Sequence, residues 1–237
     1  MTNYGKIYGI GVGPGDSDLL TVRAVKLLGQ VDVVFAASST KNDFSHSLSI
    51  ASEYLHEGCE IVRLGYPMTR DKTKLQEAWE ENGKIAAKYL SEGKNAAFLT
   101  LGDPLIYSTF GYMLRTLRKN YPEIEVEVVP GVTSYQAAAA KSCQVLVESG
   151  QNLLLTSGVA DADEFAHTIS KAHNAIILKA YRNFPQLRKT VKELNNVDVK
   201  FYTRLGLEGE AIYDDIDAVP DKTHYLSLML LTASDKD

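Results

Sequence analysis

The sequence predicts an α/β protein built from two α/β subdomains of different topology. In the first half, short apolar and β-branched runs alternate with helical patterns, which is typical of a parallel sheet. In the second half, the later apolar runs follow one another closely enough to pair antiparallel. Charge and proline interrupt the pattern at residues 118–123. We therefore predict an N-terminal α/β domain at residues 1–118 and a C-terminal α/β domain with a mixed sheet at residues 124–237.

The predicted elements of the first half follow in a regular order. β-Branched residues predict strands at KIYGIGV, VDVVFA, EIVRL and AAFLTL. Helical periodicity predicts helices at Leu19 to Leu28, near Ser47 to His56, and through KLQEAWEENGKIAAKYL. This alternation is that of βαβ units, whose strands run parallel.

The second half is built differently. EVEVVP predicts its first strand, and further strands are predicted at NLLLT, AIILKA, VKFYT and HYLSLMLL. Helices are predicted near Asp161 to Lys171 and near Pro185 to Asn195. The uneven spacing of these elements predicts a topology unlike that of the first half.

Composition and charge exclude several classes of function. The net charge of −5 argues against a general nucleic-acid binder, which needs an excess of Lys and Arg. No apolar run reaches the roughly 20 residues that span a bilayer, and the start lacks a signal-peptide pattern, so we expect a cytoplasmic protein without membrane contact. The two cysteines and five histidines show no metal-binding spacing, so we expect no protein-bound metal.

The glycine-rich stretch GVGPGD follows the first predicted strand directly. A dinucleotide fingerprint requires Gly-x-Gly-x-x-Gly, but the third glycine position is Pro14 in one frame and Asp16 in the other. The second strand also lacks the acidic residue that would hold a ribose hydroxyl. Taken alone, the loop is equally compatible with a tight turn whose glycines supply positive φ.

Two further turns follow predicted strands. Gly102, Asp103 and Pro104 come after AAFLTL, at a place where open α/β sheets bind ligands. Pro130 and Gly131 come after EVEVVP, and small hydroxyls follow them at the start of a helix. We assign two of the three turns to the first half and one to the second. Together they predict a cofactor cleft between the subdomains, lined by backbone and small polar groups.

At these residues the chain resembles the tetrapyrrole methylase family, S-adenosylmethionine-dependent enzymes of the cobalamin and sirohaem pathways. The resemblance rests on GVGPGD, on the GDP turn at 102–104, and on the proline-glycine turn with its following hydroxyls. Within the family, the segments at 66–81, 98–110, 182–184 and 204–213 most resemble methyltransferases that act on C20 of precorrin-2 or cobalt-factor II.

The resemblance implies two α/β domains, a homodimer, S-adenosyl-L-methionine as cofactor and a small-molecule tetrapyrrole as substrate. Some relatives carry an acidic residue, proposed as a proton acceptor, where this chain has Ala36, so that role is not transferred. Carried across by position, the cofactor-binding residues are Pro14, Leu101, Gly102, Asp103, Ile106, Thr133, Ser134, Tyr181, Leu205 and Gly206, and the substrate-binding residues are Gly13, Arg70 and Arg182.

A sulfonium already activates its methyl group, so we expect alignment and exclusion of water to dominate, with an apolar wall at Leu101 and Ile106. No catalytic base is assigned. Three residues near the motifs are candidates for a base: His46, Glu81 and Asp103. Each also has a simpler description: His46 as a solvated histidine, Glu81 as part of an exposed helix face, and Asp103 as a turn aspartate.

The substrate class carries eight carboxylates, which an acidic protein repels unless cations are concentrated at the site. Arg70 and Arg182 are suited to bidentate pairing, whereas Lys72 and Lys74 are equally compatible with a solvated helix start. The alternatives are a family member that methylates another carbon, a non-catalytic tetrapyrrole- or nucleotide-binding module, and, last, a dinucleotide oxidoreductase.

Overall fold

The chain divides into two compact units, Met1–Thr133 and Ser134–Asp237. The structure, a computed structural model, describes residues 4–39, 45–158, 161–194 and 196–234. The division lies later than the boundary predicted at residues 118–123. The strand that follows this segment is hydrogen bonded to the first strand of the chain, so it belongs to the first unit. The break in the sequence pattern at Asn120 and Pro122 is therefore a turn inside a unit.

The first unit contains one sheet of five parallel strands, in the order β3-β2-β4-β1-β5. Because all strands run in the same direction, their carboxyl ends lie at one edge of the sheet. This confirms the parallel α/β arrangement predicted for the first half. The strands are β1 (Ile7–Gly11), β2 (Val33–Ser39), β3 (Glu60–Tyr66), β4 (Ala96–Thr100) and β5 (Val126–Val129).

Apolar residues on both faces of this sheet are buried, as expected for a parallel sheet covered by helices. Along β1, Ile7 packs into one core and Ile10 into another, because alternate side chains point to opposite faces. Both residues are fully buried. The helices of the unit are α1 (Val22–Leu28), α2 (His46–Ala51), α3 (Lys72–Ser91) and α4 (Phe110–Asn120).

Two helices of the first unit are shorter than predicted. The helix predicted from Leu19 begins at Val22, where the hydroxyl of Thr21 accepts a hydrogen bond from the Ala24 N–H at 3.2 Å. The carboxylate of Asp16 instead caps a separate 3-10 turn at Ser17–Leu19. The helix predicted to reach His56 ends at Ala51 and continues as a 3-10 turn.

The second unit contains a mixed sheet in the order β6-β7-β10-β8-β9. Strands β6 and β7 are parallel, and β10 pairs antiparallel with β7 and β8, which confirms the predicted antiparallel pairing. The three-residue β9 was not predicted, since so short a run has no clear period. The elements are α5 (Ser134–Lys141), β6 (Leu153–Ser157), α6 (Ala162–Ile169), β7 (Asn174–Leu178), α7 (Phe184–Lys192), β8 (Val197–Thr203), β9 (Ala211–Tyr213) and β10 (Ser227–Ala233).

Helix α6 lies inside the segment predicted for it, whereas α7 begins one residue before its predicted start at Pro185. α7 begins at Phe184 with a proline in its first turn, a position at which proline is tolerated. Asn195, the predicted end of this helix, lies outside the described residues.

Candidate active site

Three loops of the first unit meet at the carboxyl ends of neighbouring strands. They follow β1, β4 and β5, which lie side by side in the sheet. The Gly102 N–H donates to the Gly13 carbonyl at 2.8 Å, and these two glycines form an isolated antiparallel bridge. The prediction that the proline-glycine turn belongs to the second half is therefore wrong, because β5 is part of the first sheet.

The glycines permit the backbones of these loops to come very close. A Cβ added at Gly11 would lie 2.5 Å from the Gly102 carbonyl oxygen, and one added at Gly131 would lie 2.2 Å from the same atom. Both distances are well below van der Waals contact, so no larger residue fits. Gly13 and Gly102 have φ of 78° and 72°, a region that favours glycine.

The carboxylate of Asp103 connects two of the loops. One oxygen accepts a hydrogen bond from the Leu105 N–H at 2.8 Å, and the other accepts one from the Gly131 N–H at 3.1 Å. Hydrogen bonds to a charged acceptor are stronger than neutral ones. Asp103 therefore fixes the GDP turn against the proline-glycine turn. Its predicted contact with a cofactor stays a prediction.

The remaining predicted residues of the first unit lie on or beside these loops, apart from Arg70. Gly13, Pro14 and Thr133 are buried, and Leu101 and Ile106 are half-buried. Arg70 is exposed in the segment after β3, a strand whose carboxyl end lies at the same sheet edge. These residues are grouped at one edge of the first sheet, and their binding of a ligand stays a prediction.

Sequence reasoning missed Thr100, the last residue of β4. Its hydroxyl is buried and has no hydrogen-bond partner among the described residues, which is uncommon for a buried polar atom. The sequence did contain a signal for this residue: a threonine ends an otherwise apolar strand just before the GDP turn.

Four of the five residues predicted in the second unit lie at one edge of its sheet, on the segments after β7 and β8. The Tyr181 N–H donates to the Ser227 hydroxyl at 2.9 Å, and the Tyr181 and Tyr225 ring centroids are 5.5 Å apart. Arg182 is exposed, and its Nε donates to the Tyr181 hydroxyl oxygen at 3.3 Å. The turn after β7 is thus held against the start of β10.

Leu205 and Gly206 follow β8 at the same edge. The segment after β8 lies at the same edge as the start of β10, because the Arg204 N–H donates to the Leu226 carbonyl. Leu205 is buried, whereas Gly206 is exposed and its N–H donates to the Glu210 carboxylate at 2.7 Å. Ser134 is the first residue of α5 and is half-buried.

Three non-glycine residues at this edge have left-handed backbones, which sequence reasoning did not identify. Lys179, Asn183 and Arg204 have φ of 53°, 54° and 53°. This conformation costs about 1–2 kcal/mol for a residue with a Cβ, and such strain is concentrated at functional sites. The edge that carries the predicted residues therefore also carries backbone strain.

A sequence model of the family described as Tetrapyrrole (Corrin/Porphyrin) Methylases matches residues 6–218. The chain belongs to this family. The matched range includes the three loops of the first unit and the strained edge of the second. The family resemblance seen in the sequence is thereby confirmed.

Relatives of the chain include enzymes named for C20 methylation. The chain is 31% identical over 218 residues to the cobalt-precorrin-2 C(20)-methyltransferase of Salmonella typhimurium, covering 92% of this chain and 91% of that protein. It is 28% identical over 236 residues to the precorrin-2 C(20)-methyltransferase of a Sinorhizobium species, covering 96% of this chain and 95% of that protein. The relatives thus include one protein named for cobalt-precorrin-2 and one named for precorrin-2.

A solved structure shows the same fold. The uroporphyrin-III C-methyltransferase of Thermus thermophilus, complexed with S-adenosyl homocysteine, has a TM-score of 0.65 and 22% sequence identity, and the match covers 96% of this chain and 97% of that one. This likeness confirms the predicted fold class of two α/β subdomains.

The three residues considered as a base have ordinary surroundings. Glu81 is exposed on α3, with its carboxylate 3.8 Å from the Lys84 ammonium. His46 is half-buried at the start of α2, and the Asp103 carboxylate accepts two backbone N–H groups. Ala36 lies inside β2 and is fully buried. None of these observations assigns a base.

The described residues show neither a metal-binding cluster nor a membrane-spanning helix. Within residues 4–39, 45–158, 161–194 and 196–234, no group of three or more His, Cys, Asp or Glu side chains could hold a metal ion. Over the same part of the chain, no helix is both long and apolar enough to span a bilayer.

Proposed function

We propose that this protein transfers a methyl group from S-adenosyl-L-methionine to C20 of precorrin-2 or cobalt-factor II in cobalamin biosynthesis. Relatives named for C20 methylation match more than nine-tenths of the chain, which supports this choice of carbon. The sequence match to the cobalt-precorrin-4 C(11)-methyltransferase of Priestia megaterium is shorter and covers 81% of the chain.

The observation that carries the proposal is the junction of the three loops after β1, β4 and β5. Residues 12–16, 101–109 and 130–133 contain no lysine or arginine, but they contain Asp16 and Asp103. A phosphate-bearing cofactor requires cations or free N–H groups at a helix start, whereas a cationic sulfonium is compatible with backbone oxygens and carboxylates. The residues present therefore fit S-adenosylmethionine better than a dinucleotide.

When bound, the cofactor supplies an electrophilic methyl group on a positively charged sulfur. The protein then has to align the acceptor carbon with this methyl group and to exclude water, and such alignment can account for many orders of magnitude in rate. Leu101 and Ile106 provide half-buried apolar side chains beside the GDP turn, where they would exclude water. The acceptor is an electron-rich meso carbon whose proton leaves after transfer, so a strong base is not required.

The substrate is held through its carboxylates in this proposal. Arg70 is exposed and forms no ion pair with a described residue, so its guanidinium fork is available for a carboxylate. Lys72 and Lys74 are exposed in the first turn of α3, where the helix dipole disfavours cations. The Asp71 carboxylate, 3.9 Å from the Lys74 ammonium, offsets part of this cost, and an anionic ligand would offset more of it. Arg182 is the corresponding cation of the second unit.

The test is methyl transfer from cofactor carrying a ¹³C-labelled methyl group, with precorrin-2 and cobalt-factor II offered separately. We expect one labelled methyl group, located at C20 by NMR, with at least one of the two substrates. A label at another carbon would overturn the C20 assignment. Binding of adenosylhomocysteine without any transfer to either substrate would indicate a non-catalytic module instead.

We also propose a homodimer, which the family resemblance implies. Sedimentation equilibrium of the protein is expected to give twice the chain mass of 26.1 kDa. A monomer at micromolar concentration would contradict this proposal and leave the proposed chemistry in place.

A further inference from the structure

Lys179 occupies a tightly fixed turn directly after β7. Its φ of 53° is left-handed, and the surrounding backbone is hydrogen bonded on several sides. The Gly158 N–H donates to the Leu178 carbonyl at 2.7 Å, the Arg182 N–H to the Lys179 carbonyl at 3.2 Å, and the Ala180 N–H to the Ser227 carbonyl at 3.3 Å. Groups from β6, β7 and β10 therefore hold a strained lysine in one conformation.

The ammonium group of Lys179 has no partner in the described part of the chain. No hydrogen bond or ion pair joins it to a described residue, although the residue is half-buried. Burial, followed by repulsion from Arg182, lowers the pKa of Lys179. Partial burial of an unpaired cation beside another cation is unfavourable, and an anion between the two would remove the cost.

Neighbouring groups also hold the side chain of Arg182, which lies three residues further along the same turn. Its guanidinium carbon lies 5.9 Å from the Tyr181 ring centroid. A Cβ at Gly158 would lie 2.9 Å from the Arg182 Cδ, so the glycine provides space for this side chain. The acidic residues Glu210, Asp214, Asp217 and Asp221 form ion pairs with other cations of the unit.

We propose that Lys179 and Arg182 together bind a carboxylate group at this edge of the second unit. The inference rests on the proposed function, because that function supplies the ligand. That function supplies two sources of a carboxylate: the amino-acid end of the cofactor and the side chains of the tetrapyrrole. Lys179 is thereby added to the residues predicted from the family resemblance.

The test compares Lys179→Met with Lys189→Met in the full-length protein. Methionine keeps an unbranched side chain that is only one atom shorter, and it removes the charge. Lys189 is an exposed lysine on α7 that forms no ion pair with a described residue, so it controls for the loss of one positive charge. The probes are adenosylhomocysteine, methylthioadenosine, which lacks the amino-acid carboxylate, and uroporphyrin, an octacarboxylate. Dissociation constants are measured by calorimetry for the first two and by fluorescence for the third.

If the cofactor supplies the carboxylate, Lys179→Met weakens adenosylhomocysteine binding about 10- to 100-fold and leaves methylthioadenosine binding unchanged. If the tetrapyrrole supplies it, the loss is confined to uroporphyrin. Equal affinities of Lys179→Met and Lys189→Met for all three probes would overturn the proposal. A wild-type protein that binds neither adenosylhomocysteine nor uroporphyrin would instead contradict the proposed function, so the two failures are distinguishable.

A second variant separates the ammonium group from the backbone. Lys179→Gly removes the side chain at a position whose φ suits glycine, so we expect a melting temperature equal to or above that of wild type. We expect the same loss of affinity as in Lys179→Met. Wild-type affinity in this variant would show that only the backbone of the turn matters, and it would overturn the assignment.

Discussion

Asp103 shows how one side chain determines the shape of the loop junction. Its carboxylate accepts N–H groups from its own turn and from the proline-glycine turn, which are 28 positions apart in sequence. An unpaired backbone N–H at this place would cost free energy comparable to a lost hydrogen bond. The residue is thus needed for the arrangement of the loops whether or not it also contacts a ligand.

Asp103→Ala is expected to lower the free energy of unfolding by about 1–3 kcal/mol, because two N–H groups lose a charged acceptor. We also expect weaker binding of adenosylhomocysteine, since the loops lose their mutual orientation. Urea denaturation and calorimetry measure the two effects.

The matched control for this variant is Asp32→Ala. The Asp32 carboxylate accepts from the Asn95 N–H at 2.7 Å, next to the amino-terminal ends of β2 and β4, away from the loops. It should lose stability but keep its affinity for the ligand. If Asp103→Ala bound adenosylhomocysteine as tightly as Asp32→Ala, the loop junction would have no part in binding.

The glycines of the junction allow a second test at the same scale. Gly131→Ala places a Cβ 2.2 Å from a backbone oxygen that has no flexible end to move. We expect destabilisation of about 3 kcal/mol or more, measured by urea denaturation. Gly65→Ala is the control, because a Cβ there meets no atom within 4 Å, and its effect should stay within about 1 kcal/mol. Comparable stabilities of the two variants would contradict the close approach of the loops.

The sequence predicted the roles of some single residues and not of others. The turns at Gly102 and Gly131 could be identified because glycine and proline mark turns after strands. The partner of the Asp103 carboxylate could not, since local spacing does not show which distant N–H group lies nearby. Lys179 was missed for the same reason: only the folded chain shows that its cation is half-buried and unpaired.

At the scale of elements, β5 is a short edge strand held by charge as well as by backbone hydrogen bonds. The Lys6 ammonium lies 2.5 Å from the Glu125 carboxylate and 3.1 Å from that of Glu127, and Arg23 also pairs with Glu127. The hydrogen bonds from Arg23 and from Lys6 lower the pKa of Glu127 below its ordinary value of 4.5. These pairs connect β5 to the start of β1 and to α1.

The lowered pKa predicts a dependence of stability on acidity. A carboxyl whose pKa is lower in the folded state stabilises the protein above pH 4.5 and loses this effect as the pH falls through the folded value. The free energy of unfolding should therefore fall on acidification more steeply in wild type than in Glu127→Gln. We expect a difference of about 1 kcal/mol or less, because water screens these pairs.

Urea denaturation at several values between about pH 6 and pH 3 measures this difference. Glu53→Gln is the control, since Glu53 is exposed and has no ion pair to a described residue. Parallel pH profiles for wild type and Glu127→Gln would contradict a role of these charges in holding β5.

Element type was easier to predict than element bounds. Apolar β-branched runs correctly indicated the longer strands, but the start of α1 moved from Leu19 to Val22. Asp16 and Thr21 are both residues that favour the cap of a helix, and the sequence does not show which of them begins the longer one. The structure assigns the 3-10 turn to Asp16 and the helix to Thr21.

For the whole molecule, the division of the chain is the main difference from the sequence prediction. A boundary at residues 118–123 would remove β5 from the sheet and leave β1 as an exposed edge. It would also separate Gly131 from Asp103. The contacts instead keep residues 1–133 together as one unit.

Two fragments test this division. A fragment of residues 1–133 is expected to unfold cooperatively in urea, because it retains the complete first sheet and its cores. A fragment of residues 1–118 lacks β5 and should be less stable and prone to associate through its open edge. Equal stability of the two fragments would contradict the assignment of β5 to the first unit.

The sequence by itself determined the family, the α/β class and the turns that carry the predicted site, because periodicity, turn residues and ordered motifs are local properties of the chain. Only the tertiary structure decided that the three turns belong to one sheet, that Asp103 connects two of them, and that Lys179 lacks an acidic partner among the described residues. These features depend on which strands become neighbours. Packing and hydrogen bonding over the whole unit determine which strands become neighbours. Residues adjacent in the sequence do not show the result.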